Sequence, residues 1–332
     1  MFRKITSLLA SAVIFFGFSG CALVKEEIIE TEYHTEVPPK MIFLGDSIPA
    51  GYGLDGYTNS DNYNCASYPN ILKEQYTTEL AEIFPHDMQN FAVSGATSND
   101  LLALLDSGKL DSALENTSAV VVSIGGNDML HIMYGLLADL GMSAENRTID
   151  LENIDIISAL GQLFTMDNEI DEALVEFETN IQEISTKLNE KTSGQIYIQT
   201  LYNPLETFTD FQMLVDFSEE KIDRYNEIVK NNAINYKVID IAEKFDGRCG
   251  ELTRIKQVDI HPNEEGHRLI AEIIDGEFRK TGFDCIVQEQ APPKLTFFAV
   301  ALIFLGFFAL FLTLILVIPN LFKKFIKKGD KQ

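Results

Sequence analysis

Between residues 40 and 284 short, almost wholly apolar runs alternate with longer stretches in which apolar residues return every three or four positions. The runs 41–44, 88–93, 119–124, 195–201 and 237–241 are each bounded by turn or cap residues, which predicts five short strands. Ile170, Leu174, Phe177, Ile181, Ile184 and Leu188 follow a four, three, four, three, four spacing that ends before Gly194, the stripe of an amphipathic helix. Further helices are expected over 98–107, capped by Ser98 and closed by Gly108, over 218–232, and over 263–280. Strand and helix in alternation read as an α/β chain with a parallel sheet covered on both faces. In such sheets ligands bind at the carboxyl ends of the strands.

Both chain ends break this pattern. Arg3 and Lys4 precede an apolar stretch, 5–18, that closes on Ser19, Gly20 and Cys21, the order of an export signal over 1–21. Small residues directly before Cys21 resemble a bacterial lipobox, in which that thiol is lipidated, although Phe18 stands where Leu is usual; an ordinary secretory signal remains the alternative. Residues 295–318 are apolar except at Thr296, Gly306 and Thr313, and at about 1.5 Å per residue they reach roughly 36 Å, enough to cross a bilayer. Lys323, Lys324, Lys327, Lys328 and Lys331 follow, so a basic tail over 319–332 is expected in the cytoplasm and the intervening domain outside the cell membrane. Residues 22–39, rich in Glu and ending in Pro38 and Pro39, read as an acidic linker, and 285–294 as its counterpart before the membrane helix.

Charge narrows the partners. The chain carries 26 basic against 50 acidic residues, a net −24, so a partner held through its phosphates is disfavoured and nucleic acid is not expected. No His and Cys cluster has zinc-site spacing, and no metal or other cofactor is expected.

The turns after the strand runs hold the chemistry. The first run leads into Gly45, Asp46 and Ser47, the second into Ser94, Gly95 and Ala96, and the third into Gly125, Gly126, Asn127 and Asp128; a late loop adds Asp259, Ile260, His261, Pro262 and Asn263. A hydroxyl nucleophile, a base and hydrogen-bond donors gathered in one cleft form an acyl-transfer set. In order and spacing these blocks resemble the SGNH, or GDSL-type, hydrolases across nearly all of residues 40–284. The resemblance implies a three-layer α/β/α, flavodoxin-like fold and metal-independent ester hydrolysis. It implies Ser47 as nucleophile, His261 as general base, and an oxyanion hole of the Ser47 and Gly95 backbone N–H groups with the Asn127 amide.

One position departs from the family. The acid usually stands three residues before the histidine, where this chain has Val258, and Asp259 stands two before. In extended backbone, residues two apart project to one side, so Asp259 can orient His261; the alternatives are a backbone carbonyl in that role and an Asp259 that only caps the next helix. The general α/β-hydrolase elbow is disfavoured because Ile48 and Pro49 follow Ser47. Asp46 and Asp128 are read as residues that fix loop geometry rather than as a carboxylate pair, and His34, His86, His131 and His267 as packing or surface residues. With Cys21 assigned to lipid, Cys65, Cys249 and Cys285 remain, and a Cys65–Cys249 disulfide at the rim of the cleft is favoured over Cys249–Cys285, against reduced buried thiols.

The segment between Asp128 and Asn168, rich in Leu, Ile and Met, is either a lid or acyl-chain wall or ordinary core, and the stretch carrying Phe208, Phe211, Met213 and Leu214 can line the same side. Two functions follow: a membrane-anchored extracellular serine esterase acting on lipid acyl or glycan acetyl esters, and a catalytically silent binding module for cell-surface glycan or lipid on the same scaffold. The intact Ser, Gly, Asn and His blocks favour the first. The chain has no Trp, which removes one sugar-stacking residue but leaves Tyr.

Overall fold

The computed structural model describes residues 24–25, 28–81, 85–139, 156–257, 259–290, 294–316 and 318–319. The segment expected to be an export signal, with Cys21, most of the basic tail, Val258 and the middle of the Leu-rich insertion lie outside the described residues. The chain divides into two units, one of residues His34–Cys285 and one of Met1–Tyr33 with Ile286–Gln332.

The first unit is built on a five-stranded parallel sheet of β1 (Lys40–Gly45), β2 (Asp87–Asn90), β3 (Ala119–Ser123), β4 (Gln195–Gln199) and β5 (Lys237–Ile239), in the spatial order β2-β1-β3-β4-β5. This is the flavodoxin-like order, whose switch point lies between β1 and β3. Met41 pairs with Ala119 and Phe43 with Val121, so alternate residues of neighbouring strands fall in step on the same face. On one face Ile42, Leu44, Val120, Val122, Ile196 and Ile198 pack beneath the helices α3 (Ser98–Asp106), α5 (Ile156–Lys191) and α6 (Gln212–Asn231). On the other, Met41, Phe43, Ala119, Val121, Tyr197 and Ile239 pack with Tyr68, Leu72 and Tyr76 of α2 (Tyr68–Glu79) and with Ile270, Ile274 and Phe278 of α7 (Glu264–Thr281). The remaining labelled helices of this unit are α1 (Ser47–Ala50) and α4 (Gly126–Asp139), and both open directly after a strand of the sheet.

The stripe of Ile170, Leu174, Phe177, Ile181, Ile184 and Leu188 is wholly buried on α5. Strands end earlier than the apolar runs suggest. After β2 the N–H groups of Phe91 and Val93 still donate to the carbonyls of Phe43 and Gly45, but 91–93 already belong to the loop. Leu201 gives its backbone N–H and C=O to the Asn226 side chain instead of to a strand. The cap of α3 is Thr97, not Ser98: the Thr97 hydroxyl accepts from the Asp100 N–H while the Asp100 carboxylate accepts from the Thr97 N–H, a reciprocal capping box.

Part of the expected acidic linker is a strand. Ile28–Thr35 pairs with Phe283–Gln290, and the Thr35 hydroxyl donates to the Phe283 carbonyl at 3.3 Å. In the second unit Val24–Lys25 pairs antiparallel with Lys294–Leu295, and the helix α8 (Phe297–Leu316) follows. Its stretch Ala299–Leu316 is long and apolar enough to cross a membrane, and its Phe, Leu and Ile side chains are mostly exposed.

Candidate active site

The first turn is fixed by backbone geometry. Gly45 has φ +140°, and a Cβ there would stand 1.9 Å from the Ser123 carbonyl oxygen, so only glycine lets β1 run this close to β3. The Asp46 N–H donates to that same carbonyl, and the Asp46 carboxyl accepts the Ile48 N–H at 3.0 Å as the cap of α1. Ser47, the first residue of α1, is thereby aimed at the carboxyl end of the sheet.

The late loop leads into α7. Asn263 caps α7 by accepting the Gly266 N–H at 2.9 Å, the Arg254 N–H donates to the His261 carbonyl, and the Tyr202 hydroxyl donates to the Ile260 carbonyl at 2.9 Å. Held in this way, His261 Nε2 lies 2.8 Å from Ser47 Oγ, and His261 Nδ1 lies 2.5 Å from Asp259 Oδ1. Asp259 Oδ1 also accepts the His261 backbone N–H at 3.1 Å. Asp259 is therefore engaged with the imidazole, and the helix cap falls to Asn263. An ionised carboxylate only accepts, so the proton sits on Nδ1 and Nε2 is free to accept from the Ser47 hydroxyl. Burial by itself would raise the Asp259 carboxyl; the hydrogen bonds and charge of His261, with the charge of Arg254, outweigh it and hold the group below the usual carboxylate range.

Two contacts complete the frame that the sequence alone did not reveal. Arg254 donates through Nε to Asp259 Oδ2 at 3.0 Å and through Nη1 to the Gly53 carbonyl. The ring of Tyr52 lies 4.6 Å from the imidazole of His261, tilted by 45°. Both join the loop after Ser47 to the loop of His261. A lone Arg five residues before Asp259 and a Tyr in a Gly-rich turn carry no periodicity or motif that would single them out.

Asn127 opens α4, is buried, and shares an apolar-walled cavity with Ser47 and His261. One of its two amide hydrogens goes to the Ala96 carbonyl at 2.9 Å, which ties it to the Gly95 turn, where Gly95 has φ +86°. Asp128 points away from the cavity to the Ser98 N–H, at 3.0 Å, and to the Ser98 hydroxyl, so it braces the start of α3. Burial raises the Asp128 carboxyl despite these donors. Asp46 is pushed up to about 7, chiefly by burial and, more weakly, by the charge of Asp128. His267, fully buried on α7 and accepting the Tyr68 N–H at Nδ1, is pushed down to about 3 by burial and then by the charge of His261.

The expected Cys65–Cys249 disulfide is absent: Cys65, Cys249 and Cys285 are free. Cys249 Sγ faces the Phe245 carbonyl at 3.7 Å within the core, and Cys65 Sγ faces the Ala50 carbonyl at 3.8 Å. Each thiol is turned toward a backbone carbonyl. The apolar cavity, of about 90 Å³, is walled by Met129, Leu130, Leu201, Leu205 and Ile222, so the insertion after Asp128 and the segment after β4 both reach it. Phe208 and Phe211 pack against a small neighbouring cluster of Met166, Leu205 and Leu214.

The GDSL-like lipase/acylhydrolase family model matches residues 43–269. An uncharacterised protein of Bacillus subtilis, YpmR, is 21% identical over 288 residues, spanning 84% of this chain and 97% of its own length. Among solved structures, the lipase Lip_vut3 from a goat rumen metagenome aligns with a TM-score of 0.52 at 18% identity, covering 71% of this chain and 96% of its own. Phospholipase A1 from Streptomyces albidoflavus aligns with a TM-score of 0.50 at 18% identity, covering 72% and 98%. These two likenesses concern the fold. With the family model spanning the sheet, the Ser47 turn and the His261 loop, the chain belongs to the GDSL-like lipase/acylhydrolase family.

Proposed function

We propose that the chain is a serine ester hydrolase, exported and held at the outer face of the cell membrane, acting on lipid acyl or glycan acetyl esters. The observation that carries the reading is the unbroken hydrogen-bonded line Asp259, His261, Ser47, which opens on the cavity that Asn127 shares. Ser47 Oγ attacks the acyl carbon as its proton passes to His261 Nε2, and Asp259 stabilises the imidazolium that forms. The Ser47 and Gly95 N–H groups and the free Asn127 amide hydrogen receive the charge on the carbonyl oxygen. The imidazolium then returns its proton to the departing alcohol; water, deprotonated by the same imidazole, next attacks the acyl carbon, and as the bond to Ser47 Oγ breaks that proton passes to Oγ and the acid leaves. No step in this cycle calls on a metal or other cofactor. The test is turnover of p-nitrophenyl esters by the full chain in detergent, with and without Ser47→Ala. Loss of turnover in a variant of unchanged thermal midpoint supports the reading; full turnover in Ser47→Ala overturns it.

Export and anchoring are supported by the order of charged, apolar and small residues before Cys21 and by the apolar α8 with its trailing lysines. Protease added to intact cells then digests the 40–284 domain. With Cys21 lipidated, deletion of 295–332 leaves the protein in the membrane fraction, and its release into the medium would leave α8 as the anchor.

A further inference from the structure

Two hollows of opposite chemistry adjoin the Ser47–His261 pair, one lined by both residues and one reached through Tyr52. The first is the apolar cavity that holds Ser47 and Asn127; at about 90 Å³ it is smaller than the roughly 150 Å³ apolar cavity that takes a benzene ring, so it suits an acyl group of a few carbons. The second is an open cleft of about 690 Å³, within the range of small-molecule sites, between the loop after α1 and the segment after β2. Tyr52, Asn59, Asn62, Tyr57, Tyr63 and Ser94 line it. It begins at Tyr52, whose ring rests on the His261 imidazole, and it reaches Ser94, the neighbour of Gly95. The cleft therefore lies beside the group that hands a proton to the leaving alcohol.

We propose that this cleft is the leaving-group subsite and that it takes a neutral carbohydrate whose hydroxyl carries a short acyl group. The proposal rests on the serine-hydrolase reading of Ser47 and His261. Tyrosine rings offer broad apolar faces at small conformational cost, and side-chain amides offer paired donors and acceptors, the two surfaces a sugar ring needs for its C–H face and its hydroxyls. The cleft is preorganised. The Tyr57 hydroxyl donates to Asn59 Oδ1 at 2.8 Å, the Tyr63 hydroxyl accepts the Asn90 N–H at 3.0 Å, and Asn62 Nδ2 donates to the Ala92 carbonyl at 2.8 Å. Tyr52 and Tyr57 meet edge to face at 5.6 Å. Charge favours a neutral alcohol over a phosphate-bearing one: among the described residues Asp61 but no Lys or Arg lines the cleft, Lys73 Nζ is engaged over the Tyr63 ring at 4.9 Å, and phosphate recognition calls on cationic donors.

The experiment compares three substrates on the full chain in detergent: p-nitrophenyl acetate, whose leaving group needs no subsite, monoacetylated cellotriose, and lysophosphatidylcholine. The expected wild-type order of kcat/KM places the acetylated sugar above the lysophospholipid. Tyr57→Ala lowers the ratio of sugar ester to p-nitrophenyl ester by about tenfold or more, as truncation of an aromatic anchor does, and Tyr57→Phe, which keeps the ring, restores most of it. An equal loss on both esters in Tyr57→Ala, or a preference for the lysophospholipid, would overturn the subsite. A measurement on the wild type alone guards against a Tyr57 variant that fails to fold: unacetylated cellotriose should inhibit p-nitrophenyl acetate turnover competitively, and absence of inhibition counts against the proposal. Failure of the underlying reading shows differently, as no turnover of any of the three esters by wild type.

Discussion

Arg254 and Asp259 are joined side chain to side chain: the guanidinium Nε donates to carboxylate Oδ2 at 3.0 Å, while Oδ1 of the same carboxylate faces His261 Nδ1 at 2.5 Å. Each carboxylate oxygen thus has its own cationic or polar partner, and the plane of the group is fixed from both sides. Asp259 stands two residues before His261, and its far oxygen is held by Arg254, which in turn reaches the Gly53 carbonyl of the loop after α1. Gly53 belongs to that arrangement. It has φ +85°, and a Cβ there would come 3.0 Å from Asp259 Oδ2 and 3.2 Å from Arg254 Nε.

If Asp259 fixes the tautomer of His261, its loss is felt in turnover. Asp259→Asn should lower kcat by roughly 10² or more with KM little changed, since the equivalent loss in a serine protease costs about 10⁴. Arg254→Met should lower kcat less, by about tenfold, because the carboxylate keeps its imidazole contact and loses only its brace. Steady-state kinetics on both variants, read beside their thermal midpoints, checks the order. A larger loss in Arg254→Met than in Asp259→Asn would assign the orienting role elsewhere.

Asn127 is expected to act only on the developing oxyanion. Asn127→Ala should cost about 10² to 10³ in kcat, the typical effect of removing one such donor. It also removes the hydrogen bond to the Ala96 carbonyl, worth about 1 kcal/mol, so a small drop in midpoint accompanies it. Unchanged kcat would show that the oxyanion is held by backbone donors alone.

The free thiols make a third expectation. Alkylation of the unfolded chain without reductant should label Cys65 and Cys249 fully, and alkylation of the folded chain should label neither, because both are buried and burial with nearby acidic charge raises the Cys249 thiol far above its ordinary range. Protection of both residues in the unfolded, unreduced chain would restore the disulfide.

What the sequence reveals of this fold is what local chemistry dictates. The turn at Gly45, Asp46 and Ser47 is written in three adjacent residues, and the α5 stripe repeats on its own helix, so both are legible without knowledge of the rest. Asp259 is legible too, as a neighbour of His261 in extended backbone. Arg254 is not, since its role exists only when the chain brings it to Gly53, 201 positions away. The strand Ile28–Thr35 was hidden for the same reason: its glutamates read as a solvated tether, and its partner Phe283–Gln290 lies at the other end of the domain. The expected cysteine pairing does not form because sequence order does not fix side-chain direction: Cys249 Sγ turns toward the Phe245 carbonyl at the end of the preceding helix, and Cys65 Sγ toward the Ala50 carbonyl.

Stability should depend on pH through two buried groups that act with opposite sign. Asp46 ionises at its ordinary 3.8 when unfolded but holds its proton up to about 7 in the fold, because burial outweighs the Ile48 N–H and the charge of His261. Between those values the native state binds more protons, so the contribution of Asp46 is fully present below pH 4 and is lost as pH rises through 7. His267 runs the other way: its ordinary 6.5 falls to about 3 in the fold, so the unfolded state binds more protons between those values and stability is lost as pH drops below 6.5. Asp46→Asn keeps an oxygen for the Ile48 N–H and cannot ionise, while His267 is common to both proteins and cancels in their difference. The variant should therefore match wild type in midpoint near pH 4 and gain on it steadily to pH 7, with a ceiling of about 4 kcal/mol for a shift of about three units. At about 2 to 4 °C per kcal/mol for a domain of this size, the difference is easily read in thermal scans across that range. A midpoint difference that stays flat from pH 4 to 8 would mean that Asp46 ionises in the fold as it does in the unfolded chain.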